Sequence, residues 1–505
     1  METTPSTFKR RYVLRGLQSG SLERMLHAPR PTAIVVGAAI GLLGGALALL
    51  TVLAGPVMAF GAVLGLGVGL YVLTDLQGAL YATLGVIALL PFGNLPVNIA
   101  VTPTLLDAAL GGFLLVYAMQ WMTGQRRLFR STPVTAVALG FTMIMLFAFF
   151  MGLRHAPMTS RVLRNVAEMM LALVMIPVLV DVMRDPRTLR RVIAVLILCG
   201  GAAAFVGIVL WLLPDATAEA MLNRLGRLGY PVGGVIRYRE TYGAILNERA
   251  IGTWVDPNAY GGFLLMVGAV TAPQVFAREP VLDRRLVTGI LGLIGISIFL
   301  TDSRGAMLSL GAAFAFIAAM RYRKLLLIMA VAGVVALFLP FTQRYIEKFE
   351  AGIRGEDVET QMRFGEYRDA LTLIERHPVI GVGFSGTPEI DLYLGVANTY
   401  LTVASNAGLV GLAAYLLLFA SAFGYGLAHY TQIVANNALR DVWLGLAAAL
   451  IGVLVGGVFD HFYFKIDSFQ ATMTFVWIVM GLMLAATRLA QDETSAGAAE
   501  AAVSD

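Results

Sequence analysis

The chain has one cysteine, Cys199, and it lies inside an apolar run. That excludes a disulfide within the chain and a cysteine metal cluster, and it leaves no obvious thiol nucleophile, so redox chemistry has no support. Charge is equally scarce. Only 14% of the 505 residues are Asp, Glu, Lys or Arg, against about 25% in a soluble domain. What takes their place is apolar: 58% of the chain is hydrophobic and the mean hydropathy is +0.76. A membrane protein is the class these numbers define. Its net charge of +5 reports the orientation of loops before any nucleic-acid partner, and none is expected.

A bilayer core about 30 Å thick takes roughly 20 apolar residues per helical span. Runs of that kind recur at 32–54, 56–74, 77–91, 103–121, 133–152, 165–182, 191–213, 259–276, 286–301, 305–320, 324–341, 399–427, 440–459 and 467–487. The predicted fold is therefore all-α, a polytopic membrane helical bundle of about fourteen transmembrane helices, at the fewest about twelve. The first run is too long for a signal-peptide core and is read as a retained span. With that count, the basic clusters Lys9 to Arg15, Gln125 to Arg130, Arg184 to Arg191, Asp283 to Arg285 and Arg321 to Lys324 all fall on one side. The positive-inside rule makes that side cytoplasmic, and both termini with it.

The organisation that follows has a basic cytoplasmic N-terminus over 1–31 and N-terminal spans over 32–213. An extracytoplasmic loop over 214–258 and central spans over 259–341 come next. A large, helical extracytoplasmic loop over 342–398 and C-terminal spans over 399–487 complete the bundle. The small, acidic tail 488–505 is expected to be a disordered cytoplasmic segment. Within the larger loop, QMRFGEYRDALTLIERHP reads as a helix with Phe364, Leu371 and Ile374 on one side and Arg363, Glu366 and Ala370 on another. Pro378 ends it.

LTDSRGAML, Leu300 to Leu308, is the tight outward turn between two spans, so Asp302 and Arg304 stand at the outer membrane boundary. Other outer segments hold Arg154, Arg161 and Arg164, then Arg224, Arg227, Arg237, Arg239 and Arg249, then Arg344, Arg354, Arg363, Arg368 and Arg376. Lysine contributes only Lys348 and Lys465 there. Arginine stays charged and grips phosphate or carboxylate with two parallel hydrogen bonds, so this bias points to an anionic ligand. The competing reading is that such arginines snorkel to headgroups or pair with nearby acids. Arg249 and Arg304 stand apart from it because each adjoins a span with little loop in which to retreat. Tyr238, Tyr242, Trp254 and Tyr260 could platform a sugar ring or be ordinary interfacial aromatics. GVGFSG, Gly381 to Gly386, reads as a bend into the next span rather than a nucleotide loop.

Four segments in order, RAIGTWVDPNAYGGFL (Arg249 to Leu264), LTDSRGAML, MRFGEYRDALTLIERHPVIGVGF (Met362 to Phe384) and NTYLTVASNAGLVGL (Asn398 to Leu412), resemble the O-antigen ligase and polymerase family of polytopic membrane glycosyltransferases. The resemblance implies a GT-C-like bundle in the bacterial inner membrane. It implies transfer of a glycan from a polyprenyl-diphosphate-linked donor to a glycan or lipid acceptor, at the extracytoplasmic face, among membrane lipids and with neither cofactor nor metal. Departure of the diphosphate builds negative charge, which preorganised guanidinium groups stabilise. That role falls to Arg249, Arg304 and Arg363, with Arg368 as auxiliary. Asn258, Tyr367 and Asn398 are the substrate-binding expectations. An acceptor hydroxyl also needs its proton removed. Many relatives carry a histidine where this chain has Ala397, so the remaining catalytic candidates are Glu366, His461 beside Asp460, and Asp302. Glu366 is equally read as the ion-pair partner of Arg363, and Asp302 as a residue that orients Arg304. The rival from another class is a transporter or flippase of lipid-linked glycan. It is opposed by spans almost free of charge and by halves with no evident repeat.

Overall fold

The computed structural model describes residues 75–95, 102–233, 239–242, 245–337, 358–386 and 396–504, besides isolated positions. The apolar runs 32–54 and 56–74, and the basic segment Lys9 to Arg15, lie outside the described residues. Every other predicted span has a helix on it. These are α1 (Leu76–Leu89), α2 (Leu105–Met122), α3 (Pro133–Gly152), α4 (Ser160–Val182) and α5 (Pro186–Leu212). After the short α6 (Asp215–Arg224) and a hairpin of β1 (Arg239–Tyr242) and β2 (Ile245–Glu248) come α7 (Pro257–Phe276), α8 (Arg284–Leu300), α9 (Arg304–Arg321) and α10 (Arg323–Leu337). The amphipathic α11 (Val358–Arg376) precedes α12 (Thr399–Ala428), the short α13 (Tyr430–Ala435), α14 (Asn437–Phe459) and α15 (Gln470–Ser504). Nine of the described helices are long and apolar enough to cross a membrane. The fold is all-α apart from the one hairpin among the described residues. The helix α15 runs on to Ser504, through the segment where a disordered tail is expected.

Local chemistry explains the boundaries. Asp185 and Asp256 each cap a helix that starts with proline, accepting backbone N–H bonds from Thr188 and Ala259; proline suits the first turn because its missing N–H would have no partner there. Asn398 and Asn436 cap α12 and α14 in the same way. The core lies where α4, α7, α14 and α15 pack together, with Trp443, Trp477, Phe263 and Phe475 fully buried.

At one end of the bundle the buried carboxylate of Asp181 accepts from Arg126 at 3.0 Å, Arg184 at 2.9 Å and the Tyr117 hydroxyl at 3.0 Å. Arg190 donates to the carbonyls of Glu279, Pro280 and Ala438, and Arg321 pairs with Asp441. The basic clusters at 125–130, 184–191, 283–285 and 321–324 are thus gathered at the same end. The LTDSRG turn and the head of α7 stand at the other.

One span is broken. Gly408 in α12 has φ +70° and ψ −176°, and the segment 378–383 runs through the gap. Leu409 N–H donates to Pro378 O at 2.7 Å, Val382 N–H to Ser405 O at 2.9 Å and Gly383 N–H to Asn406 O at 2.8 Å. The loop supplies the partners that the interrupted helix lacks, which backbone at membrane depth requires. GVGFSG is therefore a structural bend, as its sequence predicts.

Candidate active site

The turn between α8 and α9 takes three residues. Thr301 closes α8, Asp302 adopts the left-handed region at φ +50°, and Ser303 caps α9 through the Ala306 N–H. Aspartate tolerates that backbone better than most residues, so Asp302 is first a turn former. Arg304 opens α9, half-buried, with no side-chain hydrogen bond or ion pair among the described residues.

Arg249 is 6% exposed. Its Nε donates to Thr301 O at 2.7 Å and its Nη2 to Asn258 Oδ1 at 2.6 Å, so it ties the head of α7 to the LTDSRG turn. The same stretch holds Val255 at φ +63°, a backbone that a β-branched residue adopts only under strain, and strain of this kind gathers at functional sites. Helices α7 and α9 meet closely: a Cβ on Gly261 would stand 2.8 Å from that of Ala306. The α9 head also adjoins the end of α14, since a Cβ on Gly305 would stand 3.2 Å from Phe459 Cβ.

Phe459 leads to the second group. Arg363 Nη1 donates to Phe459 O at 2.9 Å, Asn398 Nδ2 to Val458 O at 3.0 Å and Thr399 Oγ1 to Asp460 O at 2.8 Å. From α11, Glu366 Oε2 accepts the Ala397 N–H at 3.0 Å, and the Tyr367 hydroxyl donates to Ala397 O at 3.1 Å. Both backbone groups of Ala397 are thereby held by α11. Glu366 and Tyr367 clamp the entrance to α12.

One end of the bundle thus holds Arg249, Arg304 and Arg363 around the N-termini of α7, α9 and α12. Each helix N-terminus adds partial positive charge and N–H groups. Two partly buried carboxyls, Asp256 and Asp460, share the place. Burial raises the pKa of Asp256 despite the Ala259 N–H bond and the charge of Arg249. Burial and the charge of Asp256 push Asp460 up to about 7. Burial, with Lys465 and Arg363 beside it, takes His461 down to about 3. His461 Nδ1 lies 3.4 Å from Asp460 Oδ1, yet the imidazole is neutral at physiological pH.

The structure brings together Arg249, Asn258, Asp302 and Arg304 on one side, and Arg363, Glu366, Tyr367, Asn398 and His461 on the other, joined through Phe459. It does not bring Arg368 to them, because Arg368 stands on the exposed face of α11. Trp254 and Tyr260 are core residues: Trp254 donates to Ala88 O and stacks on Phe263 at 4.8 Å, and the Tyr260 hydroxyl bonds Ala203 O and Ser297. Tyr238 lies outside the described residues. Asp256 was not among the sequence candidates; its signal is the Asp-Pro pair at the head of a span, which reads as a cap and nothing more.

Guanidinium groups and helix N-termini gathered beside carboxyls at one end of the helical bundle make up the candidate site, and their positive charge suits an anion. Residues 289–416, from α8 to the middle of α12, match the sequence model of the O-antigen ligase family. The matched segment holds the motifs LTDSRGAML, MRFGEYRDAL and NTYL and covers about a quarter of the chain. Among curated proteins no match to the chain was found.

Proposed function

We propose that the chain is a glycosyltransferase that polymerises or ligates polyprenyl-diphosphate-linked oligosaccharide at the extracytoplasmic face of the bacterial inner membrane. The observation that carries this reading is the meeting of Arg249, Arg304 and Arg363 with three helix N-termini at the end of the bundle where the family segment has its turn. As the acceptor oxygen attacks the anomeric carbon, the carbon–oxygen bond to the diphosphate breaks and charge accumulates on the departing phosphate. Fixed guanidinium groups and N–H donors at a poorly hydrated membrane boundary stabilise that charge without reorganising. In this reading they supply the positive charge that other transferases draw from a metal ion. Asn258 orients the donor from the head of α7, while Asn398 holds the head of α12 in place through its cap and its bond to Val458 O.

The acceptor's proton goes to Asp460. Its pKa of about 7 suits a general base near neutral pH, whereas His461 is too weak a base and Glu366 is engaged with Ala397. His461 stays neutral, and its Nδ1, which makes no hydrogen bond among the described residues, serves the acceptor hydroxyl as a hydrogen-bond partner. Asp302 sets the turn from which Arg304 projects.

The test is the purified protein in liposomes with a polyprenyl-diphosphate oligosaccharide as substrate. Lengthened or transferred glycan, with polyprenyl diphosphate released in step, is the expected result. Unchanged glycan whose sidedness alters would make the protein a flippase instead.

A further inference from the structure

The helix α11 carries more apolar surface than the protein covers. Its inner side is closed by Ala370, fully buried, and Leu373, 6% exposed, and holds Arg363, Glu366 and Tyr367 at the site. Phe364 and Leu371, seven residues apart and hence on one stripe two turns long, remain 57% and 50% exposed. Val379, 59% exposed, follows in the loop that packs on Gly152 at the end of α3. Arg368 comes four residues after Phe364 and three before Leu371, so it belongs to the same stripe. No hydrogen bond or ion pair of its side chain occurs among the described residues.

The height of α11 is fixed by its partners. Glu366 and Tyr367 hold Ala397, two residues before α12 begins, and Arg363 holds Phe459 O, the last residue of α14. The helix therefore lies level with the ends of membrane spans, where an exposed aromatic ring and an aliphatic side chain meet lipid. An apolar stripe with an arginine in it, at that level, is the pattern of a helix lying in the interface, with the guanidinium reaching out of the acyl layer to headgroup phosphates.

We propose that α11 is an interfacial helix whose Phe364 and Leu371 dip into the acyl layer, with Arg368 on lipid phosphate between them. Resting on the proposed function, this makes the outer stripe of α11 the path by which a lipid-linked donor, its diphosphate passing Arg368, moves sideways from the leaflet to Arg363 on the inner side of the same helix.

Spin labels test the helix without any reference to activity. In a Cys199→Ala background, Phe364→Cys and Arg376→Cys carry a nitroxide in protein reconstituted into phospholipid vesicles. The label at 364 is expected to collide with oxygen, which concentrates in lipid, several-fold more than with a water-soluble nickel chelate, and the label at 376 the reverse. A label at 364 that meets the chelate as readily as the one at 376 overturns the proposal. In the kinetic arm, Phe364→Ser with Leu371→Ser is expected to raise KM for a long-chain polyprenyl-diphosphate donor about tenfold. That factor corresponds to about 1.4 kcal/mol. The expected kcat is unchanged, and so is the KM for a short-chain, water-soluble donor. Equal losses with both donors would overturn the entry path. Failure of the unmodified protein to transfer any glycan would strike the enzyme reading and leave the label result standing.

Discussion

At the scale of single residues, the site divides between groups that hold the fold and groups left for substrate. Arg249 spends its guanidinium on Thr301 and Asn258, so Arg249→Ala is expected to loosen the α7 head as well as to weaken catalysis. Arg304 has no such employment among the described residues. Arg304→Ala is therefore expected to lower kcat by about 10²–10³-fold with expression and thermal stability unchanged. Arg304→Lys should recover little of it, because an ammonium does not reproduce the bidentate fork. Near-normal turnover in Arg304→Ala would remove this residue from the site. Asp460 gives a sharper test. Its carboxyl acts as a base only when ionised, and its raised pKa leaves it protonated in acid, so kcat/KM should rise with pH through about 7 and level off above it. Asp460→Asn should abolish that limb and lower kcat by about 10²–10⁴-fold; a limb that persists in the variant would assign it to another group. The arginines were legible in the sequence because they break the positive-inside rule. The titration of Asp460 was not, because it comes from burial and from Asp256, two hundred residues away in the chain and near only in the fold. Ala397 was legible as a loss, and the structure adds that its backbone is clamped all the same.

At the scale of elements, the heads of α5, α7, α12 and α14 could be read from Asp-Pro and Asn signals, because caps are local chemistry. The break in α12 could not. Its apolar run continues through Gly408, and what sustains the break is a set of hydrogen bonds from a loop beyond α11. Gly408 needs glycine twice over: its φ is +70°, and a Cβ would stand 2.2 Å from Val379 O. Left-handed backbone alone costs an alanine about 1–2 kcal/mol, so Gly408→Ala should lower Tm in detergent by several degrees. Gly140→Ala, in mid-α3 with nothing within 4 Å of the added carbon, should leave it unchanged or raised, since alanine favours helix. Equal Tm values would mean that the interlock of 378–383 with α12 carries no stability. The same interlock anchors the far end of α11, so a Gly408 variant that still folds should also lose turnover.

At the scale of the whole molecule, orientation decides whether the site faces the lipid-linked donor of the proposed reaction. The basic clusters from Gln125 to Lys324 share one end of the bundle, held by Asp181 and Asp441, while the arginines of the candidate site occupy the other. The positive-inside rule acts through short loops and residues close to span ends, and the clusters at 125–130, 184–191 and 321–324 are of that kind. By that rule they place their own end in the cytoplasm, and the arginines at the opposite end then owe their place to something other than topology. A diphosphate that must be bound there is a sufficient cause. In a Cys199→Ala background, Thr217→Cys, exposed beside the site end, should react with a membrane-impermeant maleimide in intact cells with a permeable outer barrier. Arg187→Cys, exposed at the basic end, should react only after the inner membrane is opened. The reversed pattern would place the arginine mouth in the cytoplasm, where the anionic substrate would have to be sought among cytoplasmic metabolites and the glycan-transfer reading would lose its donor.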